Sequence, residues 1–160
     1  MKRAVYAGTF DPITYGHIDV IERATKIFDK VIIGVSNGPK QTLFALEERI
    51  SIIKIIYRHN SRVVVQGFSS LLVDFVKSVS AKTIIRGIRA VSDFDYEFQL
   101  ALMNRKLNAE IDTLFLMPSE KYFFISSSLV KEIAFLGGDI SKLVPPVVQR
   151  SLARKLNLKP

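Results

Sequence analysis

The sequence predicts an α/β fold with a five-stranded, mostly parallel sheet and helices on both faces. Short β-branched or apolar runs recur at residues 4–7, 31–35, 63–65, 83–85 and 113–117, and each is typical of a buried strand. Longer segments with helical periodicity separate these runs. Strands that alternate with helices of about ten residues indicate βαβ units, in which the strands run parallel and the helices cover the sheet.

The helices are predicted from periodicity and from end signals. Apolar residues repeat at helical spacing through residues 18–27, with charged residues between them, which indicates a surface helix packed on the sheet. Glu47 and Glu48 suit the positive end of a helix dipole, and Gly137-Gly138 suits a helix end. Further helices are predicted at residues 46–57, 71–79, 94–107 and 128–136, with a last, basic one after Pro145-Pro146 through Lys155.

Length and composition predict one globular domain, residues 1–160. The 160 residues include 48% hydrophobic and 24% charged residues, which argues against disorder. No apolar run approaches the roughly 20 residues of a membrane span, and the N-terminus lacks the pattern of a signal peptide, so we expect a cytoplasmic protein. The absence of cysteine excludes disulfides and thiolate metal sites. Neither His17 nor His59 belongs to a metal-ligand pattern, so any metal is expected to arrive with a substrate.

The net charge of +8 predicts an anionic partner. Nucleic acid, a membrane surface and small phosphorylated substrates all satisfy this charge. Several basic residues fall at predicted loops or element ends, which favours a phosphate site over a uniformly basic surface. They are Lys40, Arg86, Arg89 and Lys131.

The first candidate site follows the first strand. The segment GTFDP at residues 8–12 leads into TYGH at residues 14–17, where the first helix begins. Gly8 allows a ligand to approach the backbone, and the N–H groups of Thr9, Phe10 and the helix end suit phosphate oxygens. A tight turn and a helix cap explain either piece alone. Together, at the carboxyl end of a strand, they favour a nucleotide site with His17 beside the phosphate.

The second candidate site, RGIR at residues 86–89, follows the fourth strand and so lies at the same edge of the sheet. Two arginines around a glycine can hold two phosphate groups through paired, charge-assisted hydrogen bonds. A solvated basic turn is the simpler alternative. This alternative is less favoured because Asp93, Asp95 and Glu97 follow closely. These acidic residues are expected to order the arginines or to contact a ribose.

A third candidate site, ISSS at residues 125–128, opens the helix that carries Lys131. Any one serine is expected to be an N-cap, but three exceed what capping requires, and their hydroxyls suit a polyphosphate. The aromatic run at residues 122–124 is more typical of core packing than of adenine stacking. His59 is expected to be exposed and inert. Neither a serine, histidine and aspartate arrangement nor a GxxxxGK[ST] loop is present, so the phosphate chemistry needs another scheme.

These motifs together resemble bacterial phosphopantetheine adenylyltransferases. The matching segments are GTFDP at residues 8–12, TYGH at 14–17, RGIRAV at 86–91 and ISSSLVK at 125–131. They occur in order along nearly the whole chain. Thr14 and Lys131 replace the first His of HxGH and the Arg of ISSTxxR, the usual motifs of the wider nucleotidyltransferase superfamily, as they do in this family. Tyr15 and Ala7 depart from the residues more common there, Asn and Pro.

The resemblance implies a dinucleotide-binding-like, or Rossmann-like, fold and a reaction. ATP and 4′-phosphopantetheine would give dephospho-coenzyme A and pyrophosphate, the penultimate step of coenzyme A synthesis. Members of the family use Mg²⁺, are typically homohexamers and are inhibited by coenzyme A. Neither nucleic acid nor a membrane is an expected partner.

The resemblance also implies roles for individual residues. His17 would stabilise the transition state, with Lys40 and Arg89 as further catalytic residues. The ATP site would comprise Thr9, Phe10, His17, Gly87, Ile88, Arg89, Glu97, Tyr122, Phe123, Phe124, Ile125, Ser126, Ser127 and Ser128. The phosphopantetheine site would comprise Thr9, Lys40, Leu72, Arg86 and Asn104.

The expected mechanism is direct in-line attack of the acceptor phosphate on the α-phosphorus of ATP, since an anionic phosphate needs no general base. Two alternatives remain open at this point. One is a related nucleotidyltransferase with another phosphorylated acceptor, such as glycerol phosphate with CTP. The other is a basic nucleic-acid-binding domain, suggested by the charge and by the basic C-terminal run, but the chain lacks the alternating aromatic and basic strand of a single-strand binder.

Overall fold

Among the described residues, five strands form one parallel sheet. The computed structural model describes residues 1–39 and 41–157. The strands are β1 (Arg3–Gly8), β2 (Lys30–Ser36), β3 (Val63–Phe68), β4 (Thr83–Gly87) and β5 (Asp112–Leu116). Their order in the sheet is β3-β2-β1-β4-β5, and every neighbouring pair is parallel. All five predicted strands are confirmed, with ends that differ by at most three residues.

In the part of the chain that the structure describes, six helices connect or follow these strands. They are α1 (Tyr15–Ile27), α2 (Leu46–Tyr57), α3 (Leu72–Ser78), α4 (Val91–Leu107), α5 (Ser127–Phe135) and α6 (Pro146–Lys155). Each predicted helix is confirmed. The end of α5 is also as predicted, because Gly137 takes the left-handed conformation, with φ of 76°.

The helices cover both faces of the sheet, as the sequence predicts. On one face, α1, α2, α5 and α6 bury residues such as Ile21, Ile53, Val130 and Leu152 in a common core. On the other face, α3 packs its buried aliphatic and aromatic residues on β1, β2 and β4. Helix α4 contacts α3 and β5. The sheet is therefore enclosed, which explains why its central strands are almost uninterrupted apolar runs.

The strand order places a binding site at the middle of the sheet. After β3 the chain crosses back to add β4 on the other side of β1, so the direction of winding reverses between β1 and β4. Helix α1 leaves β1 towards one side, and the connections after β4 lead towards the other. A crevice therefore opens beyond the carboxyl ends of β1 and β4, where ligands bind in open α/β sheets. Gly8 and Gly87 end these two strands.

None of the helices in the described part of the chain is long and apolar enough to cross a membrane.

Candidate active site

A cavity of about 710 Å³ opens beyond the carboxyl ends of β1 and β4, a volume typical of small-ligand sites. It brings together residues from all three candidate segments, which are far apart in sequence. The predicted site residues that line it are Thr9, Phe10, His17, Leu72, Arg86, Gly87, Arg89, Glu97, Asn104, Ile125, Ser126, Ser127 and Ser128. Ile88, Tyr122, Phe123 and Phe124 are not in its wall, and Lys40 lies outside the described residues.

The start of α1 holds His17 in one orientation. Thr14 is the N-cap residue, and its backbone N–H donates to Nδ1 of His17 over 3.0 Å. Because a backbone N–H can only donate, Nδ1 is the acceptor and the proton of the neutral ring is on Nε2. Burial and the positive charge of Arg89 lower the pKa of His17 to about 4. At neutral pH His17 is therefore an uncharged hydrogen-bond donor in the wall of the cavity.

The ring of Phe10 packs against the ring of His17. Phe10 has φ of 49°, a left-handed conformation that is costly for a residue with a side chain. This conformation turns the ring under Gly8, where a Cβ would come within 3.0 Å of Phe10 Cζ. The ring meets His17 edge to face, with 5.2 Å between centroids. A side chain at position 8 would therefore press on the Phe10 ring that packs against His17.

Arg86 is fixed by an acidic partner from α4. Its Nε and Nη2 donate to the two carboxylate oxygens of Glu97 over 2.6 and 2.5 Å, and its Nη1 donates to the carbonyl of Ala7 over 2.9 Å. This two-pronged geometry gives the guanidinium one orientation. The structure thus confirms that a following acidic residue orders this arginine. Both oxygens of Glu97 are engaged by it, although the sequence resemblance assigns Glu97 to ATP.

Arg89 links two of the candidate segments. Its Nη1 donates to the carbonyl of Ile125 over 3.1 Å, so the loop after β4 is tied to the loop before α5. Its Nε lies 3.5 Å from the Asp93 carboxylate, one turn along the chain. The side chain is 40% exposed, which leaves the guanidinium accessible to a bound anion.

The three serines have different local roles. Ser126 is the N-cap of α5, and its Oγ accepts a hydrogen bond from the backbone N–H of Leu129 over 3.1 Å. The Ser127 hydroxyl donates to the carbonyl of Pro12 over 2.7 Å, which joins the first and third candidate segments. Ser128 is exposed at the cavity. Capping therefore accounts for one serine only, as expected, and all three serines at the start of α5 line the cavity.

Asp11 organises the loop after β1. Its buried carboxylate accepts hydrogen bonds from the backbone N–H groups of Leu43 and Phe44, each over 2.9 Å, and from Lys131 Nζ over 2.8 Å. Burial alone would raise the pKa of Asp11, but these hydrogen bonds and the lysine charge hold it below its ordinary value. Lys131 is therefore engaged by a carboxylate, where the sequence suggests a phosphate ligand.

Arg49, which the sequence analysis does not single out, ties the same loop to its neighbours. Only 2% of this α2 residue is exposed. Its guanidinium donates to the carbonyls of Thr9 over 2.6 Å, Ser36 over 2.9 Å and Phe44 over 3.1 Å. These contacts fix the position of the backbone at Thr9. No sequence signal distinguishes Arg49 from a surface arginine of an amphipathic helix.

The aromatic run before α5 is only partly packed in the core, the interpretation that the sequence favours over adenine stacking. Tyr122 stacks on Tyr15, with 5.8 Å between ring centroids, and packs against the main core. Phe123 and Phe124 contact each other edge to face and are about half exposed. His59 is exposed, as expected.

Residues 5–133 match the family model described as cytidylyltransferase-like. Two relatives, both named phosphopantetheine adenylyltransferase, extend this match. The protein from Cupriavidus pinatubonensis is 54% identical over 158 residues, covering 98% of each chain. The protein from Methylacidiphilum infernorum is 54% identical over 159 residues, covering 98% of this chain and 92% of its own. The chain therefore belongs to the cytidylyltransferase-like family of nucleotidyltransferases, in its phosphopantetheine adenylyltransferase branch.

A solved structure supports the fold independently. A crystal structure from Vibrio parahaemolyticus, assigned as a nicotinate-nucleotide adenylyltransferase, superimposes with a TM-score of 0.73. It covers 100% of this chain and 98% of its own at 18% identity. At that identity the likeness concerns the fold alone, and it agrees with the predicted Rossmann-like architecture.

Proposed function

We propose that this protein transfers the adenylyl group of ATP to 4′-phosphopantetheine, giving dephospho-coenzyme A and pyrophosphate. The observation that carries the proposal is the 54% identity, over almost the whole chain, to two phosphopantetheine adenylyltransferases. The cavity agrees with it, because its basic residues surround a neutral histidine at the switch point of the sheet.

The reaction is a direct displacement at phosphorus. An oxygen of the acceptor phosphate attacks the α-phosphorus of ATP, a P–O bond forms there, and the bond to the bridging oxygen of the β-phosphate breaks. Pyrophosphate leaves with that electron pair. Because the nucleophile is already an anion, the protein has to position the two substrates and stabilise charge, and it needs no general base.

His17 suits the second task. Its Nε2–H donates to the α-phosphate as negative charge accumulates on the oxygens around phosphorus. The hydrogen bond from the Thr14 N–H keeps this tautomer and this ring orientation before the substrate arrives. Because the group is pre-oriented, little reorganisation is required in the transition state.

Arg86 and Arg89 each bind a different anionic group of the substrates. Arg86, which Glu97 and the Ala7 carbonyl hold rigidly, binds the acceptor phosphate beside Thr9. Arg89, which is tied to Ile125 yet accessible, binds the departing pyrophosphate together with the N-terminus of α5. Lys40 contributes a further positive charge to the acceptor side in this proposal.

The part of the cavity wall formed by α3 and α4 suits the arm of the acceptor. Leu72 of α3 and Leu100, Asn104 and Leu107 of α4 line it, and they combine apolar surface with one amide. 4′-Phosphopantetheine has methyl groups and two amide bonds along its arm, so aliphatic contacts and an amide hydrogen bond match its chemistry. Asn104 is the residue that would bind an amide of the arm.

We propose that Mg²⁺ arrives with ATP. Among the described residues no group of three or more His, Asp or Glu side chains is placed to hold a metal ion, and Asp11 is engaged by Lys131 and two N–H groups. The phosphates of ATP then supply most of the oxygen ligands that Mg²⁺ prefers. The ion would neutralise phosphate charge, while the residues named above orient the two substrates.

The cellular setting follows from the same proposal. We expect a cytoplasmic protein that assembles as a homohexamer and is inhibited by its pathway's end product, coenzyme A. The exposed apolar side chains on α4, among them Val91, Phe98 and Leu102, support self-association. We expect no role in nucleic-acid binding.

A panel of substrates tests the proposed function. Pyrophosphate release is measured with ATP or CTP and Mg²⁺, alone and with 4′-phosphopantetheine or glycerol 3-phosphate. We expect release only with ATP and 4′-phosphopantetheine together. Preference for another pair would overturn the acceptor assignment and leave the nucleotidyltransferase class intact.

A further inference from the structure

Tyr6 carries a hydroxyl group that the roles described above do not use. Tyr6 belongs to β1, and only 6% of it is exposed, yet it lines the cavity. Its ring meets Phe10 edge to face, with 5.4 Å between centroids, and lies 6.4 Å from the ring of His17. These contacts fix the ring, and therefore the position of the hydroxyl, within the floor of the site.

The hydroxyl of Tyr6 lies beside Gly87, the last residue of β4. A Cβ placed on Gly87 would be 3.4 Å from Tyr6 Oη, so the oxygen is next to the backbone of that glycine. The charges of Arg86 and Arg89 both act on it. The hydroxyl thus lies next to Gly87 and within reach of the charges of Arg86, Arg89 and Glu97.

More than nine-tenths of Tyr6 is buried, and its hydroxyl has no hydrogen bond within the described part of the chain. The oxygen is not one of the enclosed unpaired atoms found there, which are Tyr57 Oη and Thr113 Oγ1, so it opens onto the cavity that Tyr6 lines. Buried hydroxyls are normally paired. Burial also raises the pKa of Tyr6 above its ordinary value, so the group is a neutral donor at physiological pH. A neutral donor without a protein acceptor, located beside two arginines, is suited to an anionic ligand.

We propose that the Tyr6 hydroxyl donates a hydrogen bond to the bound nucleotide at or beside its α-phosphate. The nucleotide is the favoured partner because His17 and Gly87, the neighbours of the hydroxyl, both belong to the proposed ATP site. The inference rests on the proposed function for the identity of that ligand. It adds a substrate-contacting residue from within β1, outside the motifs that supply the other site residues.

Direct binding of ATP without an acceptor tests the inference. Tyr6→Phe retains the ring and its packing and removes only the hydroxyl. We expect the dissociation constant for ATP, measured by isothermal titration calorimetry, to rise about 3- to 10-fold, the effect of one neutral hydrogen bond. Tyr57→Phe is the control for the loss of a tyrosine hydroxyl, since Tyr57 Oη is enclosed without a partner among the described residues and Tyr57 does not line the cavity. Its ATP affinity should equal that of the wild type.

Adenosine separates a phosphate contact from a general loss of structure. A hydrogen bond to the α-phosphate predicts that Tyr6→Phe binds adenosine as the wild type does, whereas a distorted site would weaken both ligands. Equal ATP affinity in Tyr6→Phe and the wild type, or equal losses for ATP and adenosine, would overturn the inference. If the wild type binds ATP but transfers nothing to 4′-phosphopantetheine, the proposed acceptor fails while the comparison of the two tyrosine variants still decides the role of Tyr6.

Discussion

Acidification should destabilise the protein through His17. The pKa of this residue is about 4 in the folded protein, against 6.5 for an ordinary histidine. Between these two values the unfolded chain binds a proton that the folded protein excludes, so the stability that His17 provides is present above pH 6.5 and is lost as the pH falls towards 4. Integrating this difference from pH 7.5 to 4.5 gives a loss of about 2.5 kcal/mol.

Urea unfolding of the wild type and of His17→Asn at both pH values isolates this contribution. An asparagine oxygen can still accept the hydrogen bond of the Thr14 N–H, but asparagine does not titrate. Asp11, whose pKa is held below its ordinary value, adds its own loss of stability at low pH in both proteins, so it cancels in the comparison. The wild type should lose about 2.5 kcal/mol more than the variant between the two conditions.

An identical pH dependence of the free energy of unfolding in the two proteins would contradict this expectation. It would show that His17 titrates with the same pKa when folded and unfolded, and hence that it is not an uncharged donor held by burial and by Arg89. An NMR titration gives an independent check, because the chain has only two histidines. The ring signals of His17 should remain those of the Nε2–H tautomer down to about pH 5.

Three other substitutions test the supports of the site. Glu97→Gln weakens the two-pronged hold on Arg86 and should raise KM for the acceptor about 10-fold, as measured by initial rates, because one charge-assisted contact is lost. Arg49→Met leaves three backbone carbonyls without their donor and should lower the free energy of unfolding by about 2–4 kcal/mol in urea. Gly34→Ala places a Cβ 2.7 Å from Phe75 Cε1, and overpacking should cost about 1–3 kcal/mol in the same assay.

Each of these outcomes has a contrary result. Unchanged acceptor KM in Glu97→Gln would mean that Arg86 is oriented by the Ala7 carbonyl alone. Wild-type stability of Arg49→Met would show that water replaces the guanidinium at the three carbonyls. For Gly34→Ala, Gly38→Ala is a control, since a Cβ there meets nothing closer than 3.5 Å. Equal stability of the two alanine variants would show that Phe75 moves aside at no cost.

Local sequence patterns were sufficient to predict the elements of the fold. The β-branched runs, the helical periodicity of residues 18–27 and the glycines after α5 each report a local preference, and the structure agrees with all of them. The order of the strands in the sheet does not follow from such local preferences. The placement of β4 beside β1 depends on the packing of whole layers, and the sequence indicates it only through the functional motifs that have to meet.

The sequence predicts those site residues that lie within a recognisable motif. His17, Arg86, Arg89 and the serines of residues 126–128 all line the cavity, although their assigned roles remain predictions. Partners across long separations were not predicted individually. Lys131 meets Asp11 at a separation of 120 residues, and no pattern in either segment indicates that a carboxylate takes the place of a phosphate.

Arg49 and Tyr6 were missed for a related physical reason. Arg49 lies on a helix whose other charged residues are not buried, and it is held inside the protein by the converging carbonyls of Thr9, Ser36 and Phe44. Tyr6 lies in a strand, where an aromatic residue is expected from packing alone. In both cases the function depends on the atoms that surround the side chain, which the local sequence does not report.

The most direct test of the account compares acceptor-dependent pyrophosphate release by the wild type and by His17→Asn, with ATP, Mg²⁺ and 4′-phosphopantetheine at saturation. Dephospho-coenzyme A is identified in the same reactions by mass spectrometry. We expect equimolar dephospho-coenzyme A and pyrophosphate from the wild type, and a turnover about 100- to 1,000-fold lower in the variant with ATP binding retained. Turnover within a few-fold of the wild type in His17→Asn would contradict the central claim that this residue stabilises the transition state.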